Sequence, residues 1–284
     1  MKFGIMFANV GPFGLPDRLA HFAQKAEQVG VESLWTVEHV VVPKGYGSKY
    51  PYSDSGKMPG PENSPIPDPL IWMSFAAAVT KKIKVATGVL ILPQRHPFYV
   101  AKELATLDVL SAGRAILGVG IGWLEEEFRG LGVPFEDRAA RTEESIRALR
   151  SLWGDKPSAF EGKHFRWNAV ESNPKPVQKP GVPIVVGGHV PGAAKRAARY
   201  GDGFFPARPD GLASLLETLA KECAEIGRDP RTIEITTGSV PTLDEVKRLR
   251  DLGVSRFVVP PPGFAPDDVE RGLEKIGNEL ISKA

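Results

Sequence analysis

The sequence predicts a single (β/α)8 barrel, the TIM-barrel architecture, with insertions after strands 2 and 4. Three observations predict it. Short strand-like apolar runs alternate with helix-like stretches eight times from end to end, the count of a closed barrel. Several of the runs are continuous in Val and Ile, as strands buried on both faces should be. The chain has 284 residues, and such barrels need about 250. An open doubly wound sheet is the competing fold, but it seldom needs eight units. No linker or low-complexity tract divides the chain, so residues 1–284 read as one domain.

Residues 2–8 form the first strand, ended by Gly11-Pro12. The following helix puts Leu19, Phe22, Ala23, Ala26 and Val29 on one face and stops at Gly30. Residues 33–37 are the second strand. Residues 38–67 are rich in Gly, Pro, Ser and Tyr, and loops of that length are usually functional lids or disordered. A helix over 68–79 opens with Asp68 as N-cap and Pro69 in the first turn.

Residues 84–92 give the third strand, about 98–110 a helix, 115–119 the fourth strand and 138–153 a helix. Residues 159–178 read as an inserted hairpin or loop closed by Pro174, Pro176 and Pro180. Strands at 183–187, 203–206, 233–237 and 256–259 alternate with helices at 191–200, 212–226, 244–252 and 267–282. The last of these carries Val269, Leu273, Ile276 and Leu280 at helical spacing.

Composition narrows the function. With 42% hydrophobic and 25% charged residues the chain can build a large core. A net charge of +2, with both signs mixed along the helices, argues against a nucleic-acid or membrane partner. Cys223 is the only cysteine and falls on a buried helical stripe, so it reads as an inert thiol in a reducing, cytoplasmic protein. No apolar run approaches membrane-spanning length. The expected partners are a small-molecule substrate and, at most, a second copy of the chain in a homodimer.

In a barrel of this kind the loops after the strands build the active site. The candidates are therefore Glu38-His39 after strand two, Gln94-Arg95-His96 after strand three, Gly120-Ile121-Gly122-Trp123 after strand four and Gly187-Gly188-His189 after strand five. Gly187-Gly188 lies between a strand and a helix N-terminus, where bare amides can wrap a phosphate; a tight turn is the alternative. The glycines at 118, 120 and 122 match a dinucleotide fingerprint only superficially, since its third glycine would fall on Trp123. Close approach of a flat ligand to bare backbone is the better reading.

His39 can exchange protons near neutral pH, or it can simply pack. His96, at a helix start before Pro97, reads as structural, and His21 and His164 read as solvent-facing. Metal chemistry is weakly supported, with no H-x-H strand pair and no H-E-x-x-H. No strand ends in a Schiff-base lysine, and there is no G-x-S-x-G elbow.

These stretches together resemble the luciferase-like monooxygenase superfamily and, within it, the F420-dependent oxidoreductases. The resemblance spans nearly the whole chain. Its most specific block is Thr106-Leu107-Asp108-Val109-Leu110-Ser111-Ala112-Gly113-Arg114, continuing into Leu117-Gly118-Val119-Gly120-Ile121-Gly122-Trp123. Residues 35–39, 174–178, 183–188 and 197–203 add to it in the same order and spacing.

The resemblance implies coenzyme F420, or alternatively FMN, bound at the strand ends. The ring would lie at Gly88 and Val89, joined by a cis peptide, with Gly120 and Ile121 beside it. The phosphate would lie on Gly187, Gly188 and His189. His39 would be the catalytic proton-exchange group, and Glu38 would reach the coenzyme's tail or a partner in the barrel wall. Two departures from the family pattern stand out. Glu38-His39 replaces the Asp-His of the sugar and alcohol dehydrogenases, and the glutamate they carry after strand four aligns roughly with Ile121. An apolar residue cannot donate a proton, which argues against those two reactions and not against coenzyme binding. The leading expectation is an F420-dependent oxidoreductase acting on a small organic substrate. An FMN-dependent monooxygenase and a non-catalytic flavin-binding barrel are the alternatives.

Overall fold

A computed structural model of the protein describes residues 1–238 and 242–284. Eight parallel strand positions close into a ring: β1 (Lys2–Ile5), β2 (Ser33–Thr36), β3 (Lys84–Thr87) continued by β4 (Leu90–Ile91), β5 (Ala115–Gly120), β8 (Ile184–Gly187), β9 (Gly203–Phe205), β10 (Glu234–Gly238) and β11 (Val254–Val259). β11 pairs back onto β1, with Phe3 opposite Phe257, and so leaves no edge. Helices α1 (Pro16–Gln28), α2 (Pro69–Val79), α3 (Pro97–Leu110), α5 (Arg138–Trp153), α6 (Pro191–Tyr200), α7 (Leu212–Glu225), α8 (Leu243–Asp251) and α9 (Pro266–Lys275) surround it. The expected barrel is therefore present, and the open sheet is excluded.

Period-two alternation sorts the strand side chains into two cores. Leu34, Leu117, Ile184, Val186, Phe204 and Phe257 face the helices. Their chain neighbours Trp35, Ile116, Val185, Phe205 and Val258 fill the bore. Trp35 dominates that bore: its ring meets Phe205 edge-on at 5.2 Å and its Nε1 donates to Ser33 Oγ at 2.8 Å. Gly118 beside it admits the close approach of the Thr87 backbone. A Cβ there would lie 1.9 Å from the Thr87 carbonyl oxygen. At the N-terminal pole, buried Arg256 pairs with Glu32 and Glu234. A cavity of about 150 Å³ lies there, lined in part by Lys84, Asp202, Glu234 and Arg256. Its charges pair with one another and with Glu32 and Arg150, and it lies at the pole opposite the expected active site.

The differences from expectation are local. The first strand stops at Ile5, because Phe7 takes a left-handed φ of 56° and turns the chain. The third strand is not continuous over 84–92: β3 and β4 flank the cis Gly88-Val89 peptide that the family resemblance implied, and both pair with β5. At 159–178, where an inserted hairpin or loop was expected, the structure has the hairpin, with β6 (Ser158–Glu161) antiparallel to β7 (Arg166–Val170). A short helix unforeseen from sequence, α4 (Glu125–Gly130), follows the turn after β5.

Candidate active site at the barrel mouth

Three glycine-bearing strand ends meet at the mouth around Val89. A Cβ on Gly120 would lie 2.4 Å from Val89 Cγ2, and one on Gly187 would lie 2.5 Å from Val89 Cγ1. The half-buried Val89 side chain thus sits directly over bare backbone on β5 and β8. Ile121, also half-buried, follows at the end of β5. Gly188 adopts φ 131°, which disfavours any side chain, and a Cβ there would meet Ala193 Cβ at 2.8 Å. This turn delivers the chain to α6, whose N-terminus has no side-chain cap. His189 beside it is half-buried, and its Nδ1 is enclosed without a partner among the described residues. The Gly188 amide donates to the Phe205 carbonyl at 3.2 Å, and the uncapped helix N-terminus and the orphaned ring nitrogen are what suit an anionic ligand group here.

The long segment after β2 is tied down at its stem by two polar clamps. Buried Asn9 donates through Nδ2 to the carbonyls of Val37 and Pro67, both at 2.8 Å, and accepts from Val37 N at 2.9 Å. One residue further along the chain at each point, Arg95 Nε donates to Glu38 Oε1 at 2.8 Å and Arg95 Nη2 to Asp68 Oδ2 at 2.6 Å. Asp68 also caps α2, as expected, through the amides of Leu70 and Ile71.

Glu38 accepts the Ile91 amide as well, and its side chain is 1% exposed. Of its two expected roles the structure takes the wall partner. The carboxylate is spent inside the barrel wall, so the expectation of Glu38 as a coenzyme ligand is corrected. Burial pushes the Glu38 carboxyl above its ordinary range, with Arg95 opposing. Burial acts the same way on Asp68, but Arg95 and the two helix amides outweigh it and hold that carboxyl low.

His39, the first residue past Glu38, turns toward α4. Its Nδ1 lies 2.9 Å from Glu127 Oε2, and the two side chains are 7% and 0% exposed. The other Glu127 oxygen accepts the amides of Val40 at 2.7 Å and Val41 at 3.2 Å. Glu126 holds the loop further along, taking the amides of Gly47 and Ser48 and the Ser48 hydroxyl. The Ser48 hydroxyl leads the forces that depress the Glu126 carboxyl to about 2. Trp123 stands at the centre of the aromatic wall, edge-on to His39 at 5.6 Å, Tyr46 at 5.4 Å and Tyr50 at 5.2 Å. The first part of the 38–67 segment is therefore anchored on α4, through His39, Val40 and Val41 at Glu127 and through Gly47 and Ser48 at Glu126.

The other histidines sort as follows. His96 caps α3 by accepting the Phe98 amide, a structural role as expected. His21 is exposed and pairs with Glu270. His164 corrects an expectation: it is half-buried, with Nε2 enclosed, because the buried Glu144 carboxylate gathers the amides of Lys163, His164 and Phe165. Cys223 is buried, and burial raises its thiol pKa, as an inert thiol requires.

Of the residues singled out from sequence, the structure brings Val89 against Gly120 and Gly187, and sets His39 against Trp123, which follows β5. Sequence reasoning missed Asn9 and above all Glu127, and it offered Arg95 as a candidate without its partners Glu38 and Asp68. The only signal for Glu127 was the acidic run Glu125-Glu126-Glu127, which does not show which of the three turns inward.

The profile of the luciferase-like monooxygenase family matches residues 1–249. The chain belongs to that family. An uncharacterised protein of Mycobacterium tuberculosis is 30% identical over 264 residues, covering 91% of this chain and 92% of the relative. An F420-dependent glucose-6-phosphate dehydrogenase of Kineococcus radiotolerans is 32% identical over 232 residues, covering 78% of this chain and 63% of the relative. Among solved structures, an F420-dependent secondary alcohol dehydrogenase in complex with an F420-acetone adduct superposes with a TM-score of 0.79 at 21% identity, over 100% of this chain and 99% of the other. The monooxygenase RslO1 of Streptomyces bottropensis gives 0.77 at 23% identity, over 99% of both chains. Those two structural likenesses establish the shared fold. No helix among the described residues is long and apolar enough to cross a membrane, and none of them groups three or more metal-ligating side chains.

Proposed function

We propose that this luciferase-like protein is an oxidoreductase that uses coenzyme F420 to move a hydride to or from a small organic substrate. His39 is its proton-exchange group. The observation that carries the reading is the seated His39–Glu127 pair at the mouth, beside the bare-backbone seat around Val89. A barrel that only bound a flavin would need the seat but not the pair. The F420-dependent relative supports the choice of coenzyme.

The residues fit such a coenzyme. Gly88, Val89, Gly120 and Ile121 would take its flat ring. Gly187, Gly188 and His189 would take its phosphate, with the enclosed His189 Nδ1 gaining a partner. Bound there, the deazaflavin supplies a ring carbon that accepts or returns a hydride. The chain does the rest. Glu127 occupies the Nδ1 side of His39, so Nε2 is the ring atom left to hold or move a proton. Trp123 lies edge-on to the His39 ring at 5.6 Å and Tyr50 edge-on to Trp123 at 5.2 Å, aromatic surface that suits an organic substrate with an apolar body.

The test is titration of the purified protein with F420 and with FMN, followed by absorbance and calorimetry. Turnover of the wild type and His39→Ala is then measured. F420 is expected to bind, and His39→Ala to keep coenzyme affinity while losing about 10²- to 10⁴-fold in kcat. Tight FMN binding without F420 binding would overturn the coenzyme assignment in favour of a monooxygenase. Intact turnover in His39→Ala would overturn the role of the histidine.

A further inference from the structure

We infer that Glu127 is a positioning residue that fixes the tautomer of His39 and seats the lid with the same carboxylate, so that the proton-exchange group is assembled only when the lid is down. The inference rests on the proposed role of His39 and deepens it.

An ionised carboxylate only accepts. Glu127 Oε1 is committed to the amides of Val40 and Val41, which can only donate. Oε2 faces His39 Nδ1 at 2.9 Å, so that nitrogen must carry its hydrogen. A neutral imidazole has one such hydrogen, and Nε2 is then the lone-pair nitrogen. When Nε2 takes a proton from the substrate, the ring becomes an imidazolium, and the adjoining carboxylate stabilises that charge. When it gives the proton back, the same tautomer is restored.

The support for Glu127 is rigid. Its side chain is fully buried, its amide donates to the Leu124 carbonyl, and its neighbour Phe128 is buried against Phe135 at 5.3 Å. The lid side is different: Val40 and Val41 are about half exposed, at 48% and 49%. Little apolar burial holds this stretch down, so the two amide bonds to Glu127 do. Opening the lid at residues 40 and 41 unbinds one carboxylate oxygen and frees the histidine from the other.

Glutamine at 127 separates this from a merely structural role, because it is isosteric but has one acceptor and one donor. It cannot accept from His39 Nδ1 and from the two amides at once. The probes are ¹⁵N-imidazole NMR and hydrogen exchange of residues 40–48, both on the coenzyme-free protein. With five histidines in the chain, the His39 signal is assignable by comparison with His39→Ala. The wild type is expected to show the Nδ1–H tautomer. Glu127→Gln is expected either to switch it to Nε2–H or to raise exchange at residues 40 and 41 at least tenfold. Its kcat is expected to fall about 10²-fold or more, with coenzyme affinity within threefold. Glu127→Asp, acceptor-only but shorter, is expected to recover part of the rate.

A wild-type tautomer and unchanged exchange in a folded Glu127→Gln protein would overturn the inference. That result could stand beside an inactive His39→Ala, which would leave the proposed function in place. Conversely, a switched tautomer with full turnover in His39→Ala would sink the proposed role of the histidine and leave the coupling standing.

Discussion

Removing Arg95 should unlock the lid stem at a cost that can be worked out from its partners. Arg95 is 20% exposed and bridges Glu38, at 1%, to Asp68, at 35%. Arg95→Ala leaves Glu38 buried with the Ile91 amide alone, while Asp68 keeps the amides of α2. Breaking a buried ion pair from one side costs about 3–5 kcal/mol. Partial exposure of Arg95 and Asp68 places this case at the lower end, about 3 kcal/mol. Unfolding entropy of roughly 2.1 cal/mol/K per residue makes about 0.6 kcal/mol/K for 284 residues, so the melting temperature should fall by about 5 °C.

The loss should also depend on pH. Glu38 in the fold has a pKa above its ordinary 4.5 because of burial, and Arg95 restrains the rise. Between the two values the folded state binds more protons than the unfolded state, so stability falls as pH rises. Without Arg95 the folded value climbs further, and the penalty grows over a wider range above its ordinary 4.5. Asp68 works in the opposite sense. Its depressed carboxyl contributes above its ordinary 3.8, and that contribution shrinks in the variant at every higher pH. The deficit in melting temperature should therefore be larger at about pH 7.5 than at about pH 5. Calorimetric scans at the two pH values decide it. A deficit under about 1 °C, or one equal at both, refutes the reasoning. The double variant Glu38→Leu/Arg95→Leu removes both charges and should recover much of the loss.

Three further outcomes follow from the mouth. Gly188→Leu places a side chain at φ 131°, against Ala193, and should weaken coenzyme binding at least tenfold in calorimetry while the barrel still folds. Gly120→Ala drives a Cβ into Val89 and should weaken binding similarly; adding Val89→Ala should restore part of it, and failure to do so would mean that Val89 is not what the new methyl displaces. Glu126, held at about 2, contributes to lid seating above its ordinary 4.5 and loses that contribution as pH falls toward 2. Protection of the Gly47 and Ser48 amides should accordingly survive at about pH 5 and collapse near pH 2, and Glu126→Gln should weaken it already at about pH 7.

The barrel was legible because its signal is periodic and local. Leu34 and Trp35, or Phe204 and Phe205, are both apolar, and alternation on a strand assigns one to each core. The break at Gly88-Val89 could not be read from residue types, since apolar residues run on either side of it, Val85 and Ala86 before and Leu90 and Ile91 after; only the family resemblance pointed to it. The lid stem was equally hidden. Asn9 reaches Val37 and Pro67, and Arg95 reaches Glu38 and Asp68, across separations of 27 to 58 residues. Such pairings are set by which strand ends lie side by side, and no local pattern encodes them.

The acid partner of His39 shows the same limit more sharply. The family resemblance aligns Ile121, at the end of β5, roughly with a glutamate of the dehydrogenases, and from sequence that left His39 without an acidic companion. Glu127, six positions later, supplies one from α4. Which member of Glu125-Glu126-Glu127 turns inward depends on the phase of a helix only six residues long. On that helix each step rotates a side chain by about 100°. Glu127 is thereby carried inward to His39, while Glu126 points to the lid at Gly47 and Ser48, and Glu125 stays outside with Arg129. One residue of slip in α4 would put Glu126 or Phe128 against the histidine and leave it with no carboxylate or a different one. The chemistry at this mouth thus depends on the turn that starts α4. Gly122, at φ 79°, makes that turn, and a Cβ there would strike Phe128 at 2.6 Å.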